Sequence, residues 1–348
     1  MRAMTVVPGR PDSATVSEVE QPPTTDGDVL VEGLLAGICG TDGEVVYDGY
    51  GEPPAGAERI VLCHESLGRV LEAPADSGLT SGDLVAGIVR RPDPVPCPCC
   101  ARDEWDFCRN GRYSERGIKG LHGYGAQTWR VDPKFAVRVD AGLGDLGVLV
   151  EPASVVAKAW EQIERIGGRA CFAARRVLVT GAGPIGLLAA LLAVQRGYEV
   201  HVLDKVTEGP KPQLVADLGA SYHHGSVDDL GFEPDIVVEC TGVGSLVFDI
   251  ADSCAPNAII CLAGISSGHR DLPTNLDEIN KTLVLENAVL FGSVNAARRN
   301  YEQAAVALAR ADQAWLGRLL TRRMPLERWP EALRKEPNDV KVIVDLRN

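Results

Sequence analysis

The sequence predicts an α/β protein in which a β-rich first part precedes a doubly wound parallel sheet. Two observations lead to this prediction. Short apolar runs separated by Gly, Pro and Asp fill about the first 150 residues, and apolar strands alternate with helices from Arg175 onward. At 348 residues the chain is long enough for two domains with a large core.

The first part contains several short runs with the composition of strands. Their lengths, and the turn residues between them, are typical of a compact, barrel-like antiparallel unit with functional loops. The runs are VLVEGLLAG (29–37), RIVLC (59–63), GRVLEA (68–73) and LVAGIVR (84–90). After them, the stretch EPASVVAKAWEQIERI (151–166) has the apolar spacing of a helix.

The second part begins with a strand, a glycine turn, a helix and a strand over residues 175–204. Further apolar strands end in small residues within 232–242, 257–264 and 288–295. The tail predicts helices at 301–311 and 326–336 and a final strand at 341–346. We therefore expect a first domain at 1–160, a second at 161–295, and a return to the first domain over 296–348.

Composition excludes several classes of function. The net charge of −13 disfavours unaided binding to nucleic acid or to an anionic membrane. The sequence shows neither an uncharged apolar stretch of about 18 residues nor the apolar region of a secretory signal at its start. The ten cysteines are therefore expected to be thiols or metal ligands rather than disulfides, in a cytoplasmic protein.

The segment GAGPIG (181–186) carries the pattern G-x-G-x-x-G between the strand VLVT and a long apolar helix. Gly181 permits the tight bend, and Gly183 lets the backbone approach a pyrophosphate. Gly186 allows close packing of helix and strand, and the helix N-terminus attracts phosphate. With Pro184 and Ile185 between them, these glycines predict a dinucleotide site. A flavodoxin-like sheet with a chance glycine turn is the alternative.

An acidic residue, Asp204, stands at the end of the next strand. A carboxylate there accepts hydrogen bonds from the ribose hydroxyls of NAD and repels the additional phosphate of NADP. NAD is therefore favoured, although the neighbouring Lys205 softens that preference. Thr241 and Gly242, which follow a later strand, are further candidates for contact with the cofactor.

A loop at 90–108 contains Cys97, Cys99, Cys100 and Cys108, as is typical of a structural zinc site. Cys97 and Cys100 have C-x2-C spacing, which lets two sulfurs reach one tetrahedral ion from a tight turn. Cys99 and Cys100 are adjacent and point apart, so they are not expected to bind the same ion. The fourth ligand is then Cys99, Asp93 or water. A thiol-rich loop without metal is the alternative.

A third set of candidate ligands is spread along the chain: Cys39, the pair His64-Glu65, and Glu151. Cysteine, histidine and carboxylate from three loops, with one position open to substrate, would form a catalytic zinc site. Each residue taken alone is more often packing or surface than ligand. Their spacing does not establish that they converge.

Taken together, these residues resemble the zinc-dependent medium-chain dehydrogenase/reductase family over essentially the whole chain. The landmarks occur in the family's order: C-G-T-D at 39–42, H-E-x2-G at 64–68, the cysteine loop, E-P at 151–152 and the glycine turn. Within the family the chain is similar to microbial glucose dehydrogenases. That similarity rests on RRPDP, RYSERGIKGLHGYGAQ (112–127), EPAS and GSVN (292–295).

The resemblance implies a GroES-like catalytic domain, a Rossmann domain and an active site in the cleft between them. It makes Cys39, His64 and Glu151 the expected zinc ligands, with Glu65 a nearby carboxylate that binds zinc or exchanges with water. Thr41 matches the position that hydrogen-bonds the reacting hydroxyl and starts its proton relay. The family also implies a homo-oligomer, either a dimer or a tetramer.

For the substrate, we expect Glu115, Glu151 and Asn295 to hold the sugar by hydrogen bonds to its hydroxyls. Glu115 matches a sugar-contacting glutamate, and Asn295 matches an asparagine beside the nicotinamide and the sugar. Leu285 and Val155, however, lie where some sugar-specific relatives place polar contacts. A polyhydroxylated substrate is therefore better supported than glucose itself.

Two further departures concern the metal sites. The family usually has glycine before its His-Glu pair, where this chain has Cys63. The family's cysteine loop reads C-x2-C-x2-C-x7-C, and here Cys97, Cys100 and Cys108 fit the last three positions. Asp93 is the expected substitute for the missing first ligand.

The expected function is zinc-dependent oxidation of a sugar hydroxyl, above all the anomeric hydroxyl of an aldose, by NAD or NADP. A dehydrogenase of a cyclitol, an aminocyclitol or a linear polyol is the alternative with the same chemistry. A nucleic-acid-binding zinc protein and a non-catalytic scaffold are the alternatives of other classes. The acidic balance of the chain weighs against nucleic acid.

Overall fold

The computed structural model describes residues 1–266 and 275–347, and the chain divides into two compact units. The first unit comprises Met1–Ser154 together with Asn295–Asn348, and the second comprises Val155–Val294. Strands and helices below are numbered along the chain.

The strands are β1 (Arg2–Val7), β2 (Arg10–Glu18), β3 (Val29–Ile38), β4 (Ile60–Val61), β5 (Glu65–Glu72), β6 (Leu84–Gly87), β7 (Arg90–Arg91), β8 (Ser114–Arg116), β9 (Gly120–Leu121), β10 (Thr128–Val131), β11 (Ala136–Val139), β12 (Arg176–Thr180), β13 (Glu199–Leu203), β14 (Ser221–His223), β15 (Ile236–Glu239), β16 (Ile259–Leu262), β17 (Val289–Gly292), β18 (Leu320–Pro325) and β19 (Lys341–Asp345). The helices are α1 (Gly40–Gly43), α2 (Val150–Gly167), α3 (Pro184–Gln195), α4 (Pro210–Asp217), α5 (Gly244–Asp252), α6 (Leu276–Leu285), α7 (Arg298–Ala309), α8 (Gln313–Gly317) and α9 (Trp329–Ala332).

The first unit is built from small, mainly antiparallel sheets. Its largest sheet has the order β11-β6-β5-β3-β19-β18, with β10 also paired to β3, while β2-β1-β4 and β7-β8-β9 form two smaller sheets. The core contains Met4, Ile60, Leu62, Trp329 and Val344, each exposed by 0%. Because β3 lies between β5 and β19, side chains from distant parts of the chain meet across it.

The second unit is a parallel sheet of order β14-β13-β12-β15-β16-β17, which is the doubly wound arrangement that the sequence predicts. Every residue of β15, with the sequence IVVE, is buried, as expected for a strand covered on both faces. In α3, residues 186–193 are all buried, which agrees with a helix that is apolar on all sides.

The structure differs from the predicted elements at several places, and the run at 84–90 is one of them, because it is divided between β6 and β7. The run at 59–63 gives only a two-residue strand, because Cys63 has a left-handed backbone with φ of 68° and cannot continue the ladder. The helix expected at 326–336 is limited to α9, which has Pro330 in its first turn and ends after Ala332. Among the described residues, we find no helix long and apolar enough to cross a membrane.

Candidate active site

Cys39 follows strand β3 and caps the short helix α1. Its Sγ accepts a hydrogen bond from the N–H of Thr41 at 3.3 Å, and its own N–H donates to Oδ2 of Asp42 at 2.9 Å. Oδ1 of Asp42 accepts from the N–H of Cys63 at 3.2 Å. The buried Asp42 therefore connects the Cys39 turn with the segment that carries His64.

Cys39, His64 and Glu65 form a cluster of possible metal ligands. One ligand atom from each lies within 4.8 Å of the others, and Cys39 Sγ is 3.2 Å from His64 Nε2. A sulfur, an imidazole nitrogen and a carboxylate oxygen at this spacing suit zinc. The structure thus brings together three of the four ligands proposed for a catalytic zinc.

His64 is buried beside these groups, and their charges change the pKa of its imidazole. Burial opposes a charged imidazole, but Cys39, Asp42 and Glu151 together raise the pKa of His64 well above its usual range. Its Nδ1 is buried and has no hydrogen-bond partner among the described residues. Nε2 is therefore the nitrogen that faces Cys39 and would bind a metal.

Glu65 is held by a lysine that the sequence analysis did not assign. Lys341 Nζ forms a buried ion pair with the Glu65 carboxylate and also donates to the carbonyl of Ile38 at 2.9 Å. The Glu65 side chain crosses Gly37, where a Cβ would lie 2.0 Å from Oε2. Gly37 is required at this position because no side chain fits beneath the carboxylate.

Glu151, in the first turn of α2, is also buried, but it is not a member of the cluster within 4.8 Å formed by described residues. Burial, reinforced by Glu65 and Asp42 and opposed by His64 and Lys341, raises the pKa of Glu151 to about 7. Its carboxylate therefore shares the electrostatic environment of the cluster. Its role as a zinc ligand remains a prediction.

Thr41 lies in α1, beside Cys39, and is half-buried. Its N–H is used by the Cys39 sulfur, whereas its hydroxyl makes no hydrogen bond with any described residue. The hydroxyl is therefore available to a substrate oxygen, as its predicted role requires.

Cys63 occupies a backbone position that favours glycine. Its φ of 68° is in the left-handed region that favours glycine, and its side chain is completely buried. The backbone of this residue is also tightly enclosed, because a Cβ on Gly123 would lie 2.4 Å from its carbonyl oxygen. Burial, followed by Asp42 and Cys39, raises the pKa of the Cys63 thiol well above its usual range.

Glu115 and Asn295, two of the three residues predicted to hold the sugar, are in direct contact. Asn295 Nδ2 donates to Glu115 Oε1 at 2.8 Å. The same oxygen accepts from Arg90, whose Nε and Nη2 both lie 3.0 Å away. The structure therefore places these residues in one hydrogen-bonded group, in which Glu115 and the added Arg90 are buried and Asn295 is half-buried.

The cysteine loop also brings three sulfurs together. One sulfur each from Cys97, Cys100 and Cys108 lies within 4.8 Å of the others, and Cys99 is not part of this group of described residues. The N–H groups of Arg109 and Cys100 donate to Cys97 Sγ and lower the pKa of that thiol to about 6. Backbone N–H groups that point at a sulfur favour the thiolate that a metal requires.

Asp93, the predicted fourth ligand, is buried beside this loop. Its Oδ1 accepts from the N–H of Val95 at 2.8 Å, and its Oδ2 accepts from Arg112 at 3.2 Å. Hydrogen bonds from these groups outweigh burial and lower the pKa of Asp93. Its participation in a metal site remains a prediction.

In the second unit, the glycine turn has the geometry that its sequence predicts. Gly181 has φ of 88°, and a Cβ on Gly186 would lie 1.7 Å from the Gly181 carbonyl oxygen. Nothing lies within 4 Å of a Cβ position on Gly183, so this part of the turn is open. Pro184 and Ile185 begin α3.

Asp204 follows β13 and reaches back to this turn. Its Oδ2 accepts from the N–H of Ala182 at 2.6 Å and lies 3.2 Å from Nζ of Lys211. Oδ1 accepts from the N–H of Val206. Although burial acts in the opposite direction, these donors lower the pKa of Asp204. Lys205 is exposed and takes no part in this arrangement within the described residues.

Thr241 and Gly242 are organised by a buried glutamate. The side chain of Glu239, at the end of β15, is completely buried and accepts hydrogen bonds from the N–H groups of Thr241 at 2.6 Å and Gly242 at 3.1 Å. The hydroxyl of Thr180 donates to the same carboxylate at 3.3 Å. Gly242 has φ of 67°, so the turn needs a residue without a side chain.

The structure adds five residues to the candidate sites: Asp42, Arg90, Lys211, Glu239 and Lys341. Asp42 had a visible signal, since it belongs to the C-G-T-D landmark. Glu239 ends an apolar strand, where a charged residue is unusual. Lys341 gave no local signal, because its partner is 276 residues away.

Comparisons with known proteins cover nearly the whole chain. Residues 25–141 match the family described as "Alcohol dehydrogenase GroES-like domain", and residues 144–346 match "Glucose dehydrogenase C-terminus". A glucose 1-dehydrogenase of Methanocella arvoryzae is 37% identical over 99% of both chains. A glucose 1-dehydrogenase of Thermoproteus tenax is 36% identical over 100% of both. The structure of Haloferax mediterranei glucose dehydrogenase in complex with NADP, Zn and gluconolactone is similar, with a TM-score of 0.91 and 31% identity over 99% of both chains.

Proposed function

Because this chain belongs to the zinc-dependent medium-chain dehydrogenase/reductase family and is homologous to its glucose dehydrogenases, we propose that it oxidises an aldose. The anomeric carbon loses hydride to the nicotinamide of NAD(P)+, and the anomeric hydroxyl loses its proton to solvent. The products are the lactone, NAD(P)H and a proton. The observation that carries the proposal is the convergence of Cys39, His64 and Glu65 beside the free hydroxyl of Thr41.

The metal site is assigned to Cys39 and His64, with carboxylate ligation by Glu151 or Glu65. A zinc ion bound there supplies the Lewis acidity that lowers the pKa of the substrate hydroxyl. Thr41 accepts the proton of that hydroxyl and passes it toward solvent. Lys341 holds Glu65 in place, so the carboxylate does not leave the cluster freely.

Substrate recognition is assigned to Glu115 and Asn295. Both are positioned by hydrogen bonds within the first unit, and together they offer an acceptor and a donor of the kind that sugar hydroxyls need. A substrate without the matching hydroxyl would leave a buried polar group without a partner, which discriminates strongly between sugars.

We propose that the unit Val155–Val294 binds the dinucleotide at its glycine turn, with Gly183 against the pyrophosphate and Thr241 and Gly242 nearby. Asp204 favours NAD by accepting hydrogen bonds from the ribose. Lys211 lies against Asp204 and offsets that preference, because it can compensate the phosphate of NADP.

We also propose that the protein forms a homo-oligomer. Strand β17 is an edge of the parallel sheet, and Leu290 on it and Val284 on α6 are exposed by 38% and 65%. Exposed apolar side chains at a sheet edge favour a homo-oligomer, a dimer or a tetramer, which light scattering would measure.

We also propose the cytoplasm as location, since all ten cysteines, which lie in described residues, are free thiols.

The experiment that tests this function is a substrate panel combined with elemental analysis. The purified enzyme is offered glucose, galactose, xylose, sorbitol, inositol and threonine with NAD+ and with NADP+. We expect zinc in the protein and NAD(P)H formation with aldoses. Turnover of inositol or sorbitol without turnover of any aldose would contradict the proposal.

A further inference from the structure

We propose that Arg90 is a positioning residue that orients the Glu115 carboxylate toward the sugar and so contributes to substrate specificity. The inference rests on the proposed function, because it concerns how that site recognises an aldose. It adds a residue that neither the sequence motifs nor the metal chemistry assigns.

The sheet register brings Arg90 and Glu115 together. Arg90 on β7 pairs directly with Glu115 on β8 in an antiparallel arrangement. Both side chains are buried, with 7% and 9% of their surface exposed. Arg90 and Glu115 therefore form a buried ion pair. The pairing of strands β7 and β8 determines that Arg90 is the partner of the carboxylate.

Arg90 is itself held in one orientation. Its Nη1 donates to the carbonyl of Asp106 at 3.1 Å, and its guanidinium lies 3.8 Å from the centre of the Tyr113 ring. Nε and Nη2 both face Glu115 Oε1. All three nitrogens of the planar group are thus used, which a lysine ammonium cannot reproduce.

These contacts distinguish the two oxygens of Glu115. Oε1 accepts from Arg90 and from Asn295 Nδ2, and the Asn295 amide is oriented because its Oδ1 accepts from the N–H of Ala296 at 2.8 Å. All of these contacts to the carboxylate are made to Oε1, and Oε2 accepts no hydrogen bond from any described residue. Arg90 and Asn295 therefore leave Oε2 as the oxygen that can accept a hydrogen bond from a ligand hydroxyl.

The functional consequence concerns binding rather than the reacting bond. A carboxylate whose rotation is restricted offers its lone pairs to one hydroxyl position, and a hydrogen bond to a charged group is stronger than a neutral one. Without Arg90 the carboxylate can rotate, and Asn295 loses its oriented partner. We expect weaker aldose binding and poorer discrimination against a sugar that lacks the contacted hydroxyl.

A double-mutant cycle tests this role. The variants are Arg90→Gln, Arg90→Lys, Glu115→Gln and the combination Arg90→Gln/Glu115→Gln. Arg91→Gln is the matched control, because Arg91 donates to Ile88 and Tyr124 and does not contact Glu115. Steady-state kinetics are measured with glucose and with each single deoxyglucose that keeps the anomeric hydroxyl, at saturating cofactor, and thermal unfolding is measured for every variant.

We expect Arg90→Gln to raise KM for glucose on the order of tenfold, with a smaller change in kcat. Arg90→Lys should lie between the wild type and Arg90→Gln. In the Glu115→Gln background, Arg90→Gln should change KM less than about twofold, because the group through which Arg90 acts has been altered. For one deoxyglucose, Arg90→Gln should change KM little, because the hydroxyl that Glu115 contacts is already missing. That deoxyglucose identifies the contacted hydroxyl.

Two outcomes would overturn the inference while the proposed function stands. One is an effect of Arg90→Gln that is equally large with and without Glu115→Gln. The other is an Arg90→Gln variant indistinguishable from Arg91→Gln. If Arg90→Gln does not fold, the same cycle is carried out with Arg90→Lys. A wild-type enzyme that oxidises no aldose would instead overturn the proposed function, and this inference with it.

Discussion

Lys341 and Glu65 form a buried ion pair between two strands that are 276 residues apart in sequence. Their side chains are 1% and 3% exposed, and Lys341 also donates to the carbonyl of Ile38 on the strand between them. The C-terminal strand β19 is thereby connected to the segment that carries His64. This pair positions one carboxylate of the candidate metal centre.

The first prediction concerns this pair. Lys341→Met should lower the free energy of unfolding by about 3–5 kcal/mol, because it leaves the charge of Glu65 buried without its partner. Lys341→Met/Glu65→Gln should regain most of that loss, since no unpaired charge remains. Denaturant unfolding measures both. Equal stability of Lys341→Met and the wild type would show that the ion pair is not important for folding.

The second prediction concerns the strained backbone at Cys63. Cys63→Gly and Cys63→Ala both remove the buried sulfur, but only glycine adopts the left-handed conformation without strain. Cys63→Gly should therefore be more stable than Cys63→Ala by about 1 kcal/mol. Thermal unfolding of the two variants measures this difference. A Cys63→Ala variant more stable than Cys63→Gly would contradict the prediction.

The third prediction concerns Glu239. Glu239→Gln should lower the free energy of unfolding by about 1–3 kcal/mol, because one acceptor for the buried N–H groups of the Thr241–Gly242 turn is replaced by a donor. Dinucleotide affinity should fall with it, since that turn is a proposed part of the cofactor site. Thr180→Val, which removes one donor at 3.3 Å, is the milder control. Unchanged stability and unchanged cofactor binding in Glu239→Gln would refute this assignment.

The fourth prediction concerns cofactor choice. Asp204→Ser should shift the ratio of kcat/KM for NAD to that for NADP toward NADP, on the order of tenfold, because a ribose acceptor and a repelling charge are lost. Lys211→Ala should shift the ratio in the opposite direction. Lys335→Ala serves as the control, because this exposed lysine belongs to the other unit. A strong preference of the wild type for NADP would show that Asp204 does not select NAD.

The fifth prediction concerns the cysteine loop. Cys97→Ser should lose one zinc ion per chain and unfold more readily, because it removes a sulfur of the three-cysteine group. Cys99→Ser should retain that zinc, since its sulfur lies outside the group formed by the described residues. Loss of this zinc from Asp93→Asn would identify the carboxylate as the fourth ligand, whereas its retention would assign that place to water. Elemental analysis measures all three, and equal zinc loss from Cys97→Ser and Cys99→Ser would contradict the geometry.

What the sequence could predict depended on how local each signal is. The turn at Gly181 was predictable because a positive φ and a close helix contact require glycine within six residues of chain. Strand β15 was predictable from its apolar run. The left-handed backbone of Cys63 was not, because cysteine gives no indication of such a conformation.

The active-site residues show the same limit. Cys39 and His64 were candidates by residue type, but only the family resemblance made them expected partners, since 25 residues of chain separate them and spacing alone does not bring them together. Arg90 and Lys341 are positioned by strand register and sheet order. Those relationships arise only from the folded sheets, which explains why the partners of Glu115 and Glu65 were not predicted.

The central claim is that Cys39 and His64 bind a zinc ion needed for aldose oxidation. The most direct measurement is zinc content and aldose-dependent NAD(P)H formation for the wild type and Cys39→Ala. We expect Cys39→Ala to lose one zinc ion per chain and to lower kcat/KM about a hundredfold or more, since groups that only support a metal ligand already contribute up to that factor. A Cys39→Ala enzyme that keeps both its zinc and its turnover would contradict the claim.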